Sequence, residues 1–263
     1  MTAFARKRRW AHFQDGGEGR CLVVPIDHGL TMGPIDGLHS PHQIKSWLSP
    51  DLVTGVVLHK GMAEHLKCVS GCGMMIHLNG ALNLDESPDC KVMFTSVEAA
   101  VRLGADGVSI QANFTPATAA YNLHLIGSVV DEAHRYGLPV LVMVYDKTGE
   151  HNSLNNLRHF MRAAVELGAD ALKVAAPANL ERIPELLDGI QAHTPVLFAG
   201  GALDDETRLL DLADASVRYD AAGICAGRNV FQHPDPRKIL RKTLDILRRR
   251  MPDFDGKQQI RAA

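Results

Sequence analysis

Aromatic side chains are scarce in this chain of 263 residues: Phe, Tyr and Trp make up 5% of it, so its core has to be aliphatic. An excess of one charge is also missing. Lys and Arg number 28 against 30 Asp and Glu, a net charge of -2, with an isoelectric point near 6.7. Such a balance gives no electrostatic footprint for nucleic acid or for an acidic membrane surface. The five cysteines, Cys21, Cys68, Cys72, Cys90 and Cys225, are odd in number and irregularly spaced, which argues against a disulfide framework. Cys68 and Cys72 stand four apart, but His59 and His77 are weak companions for them, and no metal is expected. No apolar run approaches the roughly 18–20 residues of a membrane span. The N-terminus has no signal-like apolar segment, so the expected home is the reducing cytoplasm. No Pro/Gly/Ser-rich linker divides the chain, and the dinucleotide fingerprint GxGxxG is absent.

What is present is an alternation. Short apolar runs recur at 21–27, 55–59, 73–78, 107–112, 139–145, 171–176, 195–200 and 223–227. They are apolar throughout rather than at every second position, as strands buried on both faces of a parallel sheet require. Between them lie helix-patterned stretches at 96–104, 151–168, 179–190, 204–217 and 235–251, with Ser96 placed as an N-cap and Gly104 as a stop. GAD occurs at 104–106 and again at 168–170, each time just before a strand, marking two equivalent turns. Eight strands alternating with helices predict an α/β fold, a single (β/α)₈ TIM barrel over 1–263, with a doubly wound open sheet as the structural alternative. Residues 1–20 read as an N-terminal extension and 252–263 as a frayed tail. The basic run Arg6-Lys7-Arg8-Arg9 reads as the solvated end of a first helix rather than as a nucleic-acid or targeting patch.

In such a barrel the C-terminal ends of the strands and the loops after them carry the chemistry. The first strand ends in Asp27-His28, an acid and an imidazole that are expensive beside a buried run unless paired or functional; Gly29, Gly33 and Gly37 leave the following loop free to fold over a ligand. The fifth ends in Tyr145, whose phenol can pass a proton to a carbonyl or cap the core with its ring. The sixth contains Lys173 between Leu172 and Val174-Ala175-Ala176. A lysine there must snorkel, pair or lose its charge, and the neutral amine is the form that attacks a ketone. Gly200 and Gly201 follow the seventh strand and Gly227 and Arg228 the eighth, the two loops where barrels commonly hold phosphate on backbone N–H groups. His59 and Lys60 after the second strand, and Gln111 on the fourth, are candidate substrate contacts.

The segments DHGLTMGPIDGL, GADALKVAAP, VLFAGGA and AGRNVFQH, together with the strand-five tyrosine, resemble the archaeal-type class I aldolase family over about residues 20–247. That family includes fructose-bisphosphate aldolases, 2-amino-3,7-dideoxy-D-threo-hept-6-ulosonate synthases and related C7 amino-sugar-acid phosphate synthases. The resemblance implies a metal-free, cofactor-free barrel and a Schiff base on Lys173. Tyr145 would be the acid/base and Asp27, with His28, the partner in imine formation. Phosphate would bind at Gly200, Gly201, Gly227 and Arg228, and a homo-oligomer is implied. The first loop looks more like the synthase branch, which joins a three-carbon unit from a phosphorylated ketone to an aldehyde such as aspartate semialdehyde. The Pro-Arg-Gly run usual after the tyrosine is replaced here by Asp146-Lys147-Thr148-Gly149, which makes Lys147 a further candidate contact at an altered acceptor end. The competing expectations are a fructose-bisphosphate aldolase, a transaldolase- or thiolase-type transferase using the same lysine, and a non-catalytic sugar-phosphate binding protein.

Overall fold

Each of the eight apolar runs forms a parallel strand in the computed structural model, which describes residues 2–66, 71–149, 154–201, 203 and 206–249. They are β1 (Cys21–Pro25), β2 (Gly55–Leu58), β3 (Gly73–His77), β4 (Gly107–Phe114), β5 (Val140–Asp146), β6 (Ala171–Ala175), β7 (Val196–Ala199) and β8 (Gly223–Cys225). Each pairs with the next in sequence, and β8 pairs back onto β1 through Cys21–Gly223 and Val23–Cys225, so the sheet closes as a barrel. Several observed strands stop one or two residues short of the apolar runs, because the last residues of a run, such as Asp27, His59 and Gly227, already belong to the loops of the mouth.

Alternation along the strands divides the buried side chains into two sets. Leu22 and Val24, Val142 and Val144, and Leu172 and Val174 face the surrounding helices. Cys21, Val23, Met75, Leu141, Met143, Ala171, Leu197 and Cys225 fill the barrel interior. Lys173, two residues after Ala171, continues the interior row. The strand that supplies it packs its odd and even side chains on opposite faces, so the lysine points to the axis and not to the helices.

The N-terminal extension closes the bottom of the barrel. Helix Thr2–Trp10 and a 3₁₀ turn, Ala11–Phe13, bring Trp10 and Phe13 into the interior cluster. Phe13 is fully buried, and its ring occupies the space a side chain would need at Gly55 or Gly73, where a Cβ would come within 2.5 Å of Phe13 Cδ1. The basic run is helical, as expected, but two of its heads are engaged rather than solvated. Arg6 Nε donates to Asp170 Oδ1, and Arg9 Nη1 donates to the carbonyls of Tyr136 and Gly137, all at 2.7 Å.

The two GAD turns are equivalent in structure as in sequence. Gly104 and Gly168 both take left-handed backbone (φ 77° and 93°). Asp106 then accepts from the amide of Met74 and Asp170 from that of Val140, each on the preceding strand, at 2.9 Å. The five helix-patterned stretches form helical segments; Ser96 caps Val97–Arg102 by accepting from the amide of Ala99 at 3.1 Å. Several elements went unread, helices Pro41–Trp47 and Lys60–Leu66 among them, and two matter to the site. Helix Ala119–Arg135 buries Asn122 on its inner face, which interrupts the apolar stripe; its Nδ2 donates to the Asn113 carbonyl at 2.8 Å, while its buried Oδ1 has no partner among the described residues. An excursion between β3 and β4 folds as an antiparallel hairpin, Asn79–Gly80 with Val92–Met93. The expected tail 252–263 and Cys68 lie outside the described residues.

Candidate active site

At the C-terminal mouth, side chains from the first six strands and the loops after them line one cavity of about 170 Å³. Lys173 and Met143 stand in register on adjacent strands and form part of the wall, with Lys173 Nζ 3.8 Å from Met143 Sδ. Tyr145 follows Met143 on the same inward face. Asp27 and His28 enter from the end of β1, where Ile26 still donates to the Val57 carbonyl at 2.8 Å and so holds the loop's first residues against β2. His59 and Gln111 line the cavity too, so Lys173, Tyr145, Asp27, His28, His59 and Gln111 are brought together.

Sequence reasoning missed His77, Asn79 and Lys91, which share the same wall. His77 is 2% exposed at the end of β3; its Nδ1 lies 2.8 Å from Ser109 Oγ and its Nε2 lies 3.8 Å from Asp27 Oδ2. The signal was there: an imidazole directly after Met-Met-Ile, the same pattern that singled out Asp27. Asn79 brackets the backbone of Gln111, accepting from its amide at 2.8 Å and donating to its carbonyl at 2.9 Å.

The electrostatics centre on Asp27. Burial opposes its charge, but His77, His28, Lys173 and His59 together hold its carboxyl below the ordinary carboxylate value. Burial drives the His77 imidazole down to about 4, so it is neutral at neutral pH. His28 is also pushed down by burial, against the pull of Asp27 at 3.4 Å from its Nδ1. Lys173 differs from expectation. Burial lowers its amine, but Cys225, Tyr145 and Asp27 outweigh burial and hold it above the ordinary lysine value. The field of Asp27 thus favours the charged form of the lysine, and burial in the apolar wall opposes it.

The loops after β7 and β8 meet each other and His28. Arg228 Nη2 donates to the Gly201 carbonyl at 3.2 Å, bridging the two loops, while its buried Nε has no partner. A Cβ at Gly200 would come within 2.8 Å of Ala226, and one at Gly227 within 2.5 Å of His28 Cε1. The His28 ring also meets Phe231 edge-on, with centroids 5.2 Å apart. Gly200, Gly201, Gly227 and Arg228 thus form one cluster that abuts the cavity through His28. Lys60 is placed elsewhere. It opens helix Lys60–Leu66, and its ammonium is tied to the Phe94 carbonyl at 3.0 Å, because the helix start turns it outward. Lys147 is exposed beyond the end of β5, and its charge is felt at Lys91.

A closed parallel barrel with a buried lysine, a carboxylate and a phenol around one cavity defines a class of enzyme that works on carbonyl carbon. The chain belongs to the DeoC/LacD family of aldolases, whose profile matches residues 21–233, and it is a class I, Schiff-base-forming aldolase. It is 30% identical over 250 residues to a 2-amino-4,5-dihydroxy-6-oxo-7-(phosphonooxy)heptanoate synthase of Streptomyces griseus, covering 93% of this chain and 90% of that one. It is 32% identical over 236 residues to 2-amino-3,7-dideoxy-D-threo-hept-6-ulosonate synthase 1 of Archaeoglobus fulgidus, covering 89% and 87%. A Schiff-base-forming fructose-1,6-bisphosphate aldolase superposes with a TM-score of 0.82 at 25% identity, covering 91% of this chain and 98% of that chain.

Proposed function

We propose that this aldolase joins a three-carbon unit from a phosphorylated ketone, dihydroxyacetone phosphate or a related ketose phosphate, to an aldehyde such as aspartate semialdehyde, through a Schiff base on Lys173. The observation that carries the reading is that Lys173, Asp27 and Tyr145 line one cavity, with Lys173 buried and within the field of Asp27. The synthases named above are the relatives that support it.

The Lys173 ammonium first gives up a proton, and the neutral amine attacks the ketone carbon. The carbinolamine oxygen then leaves as water, with Asp27 accepting and returning the protons that this step moves. The iminium draws electrons from the neighbouring carbon, and Tyr145 takes the proton released there. The resulting enamine adds to the aldehyde carbon, Tyr145 protonates the new alkoxide, and water frees the lysine. Backbone N–H groups at Gly200, Gly201 and Gly227, with the Arg228 guanidinium, hold the donor's phosphate. A fructose-bisphosphate aldolase is the second reading, supported by the solved Schiff-base enzyme at 25% identity. We also propose a homo-oligomer in the cytoplasm. The exposed apolar side chains Leu82, Leu84 and Val92 on the excursion beside the mouth support an assembled form.

Borohydride reduction in the presence of dihydroxyacetone phosphate, followed by peptide mapping, tests the reading. A stable adduct on the peptide bearing Lys173 is expected. A folded protein without that adduct would sink it.

A further inference from the structure

A second lysine reaches the cavity from the excursion between β3 and β4. Lys91 is 5% exposed and lines the same wall as Lys173. Its backbone is held on both sides: its carbonyl accepts from the Tyr121 hydroxyl at 2.7 Å, and the next two residues pair with Asn79–Gly80. Its ammonium makes no hydrogen bond or ion pair among the described residues. Asp89 and Asp85 attract it from a distance and Lys147 repels it, and the Asp89 carboxylate is already engaged by Asn113 Nδ2 at 2.7 Å. The Lys91 stem is buried while its ammonium stays open to the cavity, an unpartnered cation that meets any anion entering there.

The barrel's order says which anion. In a closed ring of eight, β3 and β4 stand opposite β7 and β8. The donor's phosphate is proposed at the β7 and β8 loops, with Lys173 between. An anion at Lys91 therefore belongs to the other end of the reacting pair.

We propose that Lys91 is the specificity residue of the acceptor pocket, binding a carboxylate or phosphate at the end of the acceptor aldehyde remote from its carbonyl. The proposal rests on the aldolase reading above. It also gives the altered segment Asp146-Lys147-Thr148-Gly149 a counterpart, since the acceptor's anion is held from the neighbouring excursion rather than by an arginine in that loop. Lys91 touches substrate in this scheme but moves no proton and forms no bond in the reaction.

The test pairs dihydroxyacetone phosphate with three aldehydes: aspartate semialdehyde, which carries a carboxylate, glyceraldehyde 3-phosphate, which carries a phosphate, and neutral butanal. Carbon–carbon bond formation is followed for the wild-type chain and for Lys91→Met and Lys91→Arg. The wild type is expected to favour one of the two anionic aldehydes over butanal by about tenfold or more in kcat/KM. Lys91→Met erases that preference through KM, lowering use of the favoured anionic aldehyde far more than that of butanal, and traps donor on Lys173 as well as the wild type does; Lys91→Arg restores much of the preference. The favoured anion, carboxylate or phosphate, names the acceptor class. Equal use of butanal by the wild type overturns the proposal, as does a proportional loss on all three aldehydes or a parallel loss of donor trapping in Lys91→Met. No adduct on Lys173 in the wild type sinks the aldolase reading itself, whereas an adduct without anion preference sinks this inference alone.

Discussion

His28 fills the space that a side chain at position 227 would need. A Cβ there would lie 2.5 Å from His28 Cε1 and 3.1 Å from the Pro25 carbonyl. The first loop of the barrel and the last are thereby packed as one piece, with the cavity on one side of the imidazole and the proposed phosphate cluster on the other. Gly227→Ala is expected to force His28 and the β8 loop apart, at about 1–3 kcal/mol of stability. It should also raise the KM for the ketone more than it lowers kcat. Denaturation midpoints and donor titrations read the two effects. An unchanged KM would mean that the β8 loop does not hold the donor.

Lys173→Ala should abolish borohydride trapping and reduce turnover to background, and Lys173→Arg should not restore it, since a guanidinium stays protonated and cannot form an imine. Tyr145→Phe keeps the ring that packs against the interior cluster and removes only the proton. Its expected cost is about 10²–10⁴-fold in kcat, with trapping of the donor retained. Loss of trapping in Tyr145→Phe would assign the phenol to imine formation instead.

A raised lysine makes Schiff-base formation alkaline-favoured. Lys173 sits above the ordinary lysine value, so through the neutral range the attacking amine is a small fraction that grows about tenfold per pH unit. Initial trapping rates at low donor concentration should rise accordingly between about pH 6.5 and 8.5. A flat profile would show that the lysine is already neutral at rest.

His77 contributes the opposite limb, in stability. Its folded value of about 4 lies below the ordinary histidine value of 6.5, so the unfolded chain takes the proton first. Stability from this group is full above about pH 6.5 and falls as the pH drops toward 4, by roughly 3 kcal/mol. Asp27, held low in the fold, adds a further acid loss below its ordinary range. Unfolding free energies measured across this window should be flatter for His77→Gln than for the wild type, and an equal slope would show that His77 is not buried neutral.

Phe13→Ala should cost about 3–5 kcal/mol, as deletion of a fully buried ring does, with little change in kcat at a temperature where the variant is folded. Calorimetry and a turnover assay separate the two.

Much of this was legible beforehand because a strand buried on both faces leaves a continuous apolar run, and the residue that breaks the run marks the mouth. That logic found Asp27, Tyr145 and Lys173, and His77 obeys it equally. It fails where burial is not announced by apolar neighbours. Lys91 lies in a polar excursion and is buried by the hairpin's return, a long-range event with no local pattern. Helix Ala119–Arg135 hides because Asn122, paid for by one hydrogen bond to the Asn113 carbonyl, interrupts its stripe. Lys60 misled for the converse reason. It follows a strand end directly, but the helix it opens turns it onto the Phe94 carbonyl.

Phe13 seals one end of the barrel while every reacting group gathers at the other. The two ends carry different burdens: changes around Phe13, Gly55 and Gly73 act on the packing that holds the barrel closed, changes around Lys91 and Lys147 on the proposed acceptor. A lineage drifting toward a new aldehyde can rewrite the second set and leave the first untouched, so in a comparison of descendants the seal would record ancestry and the opposite rim would record occupation.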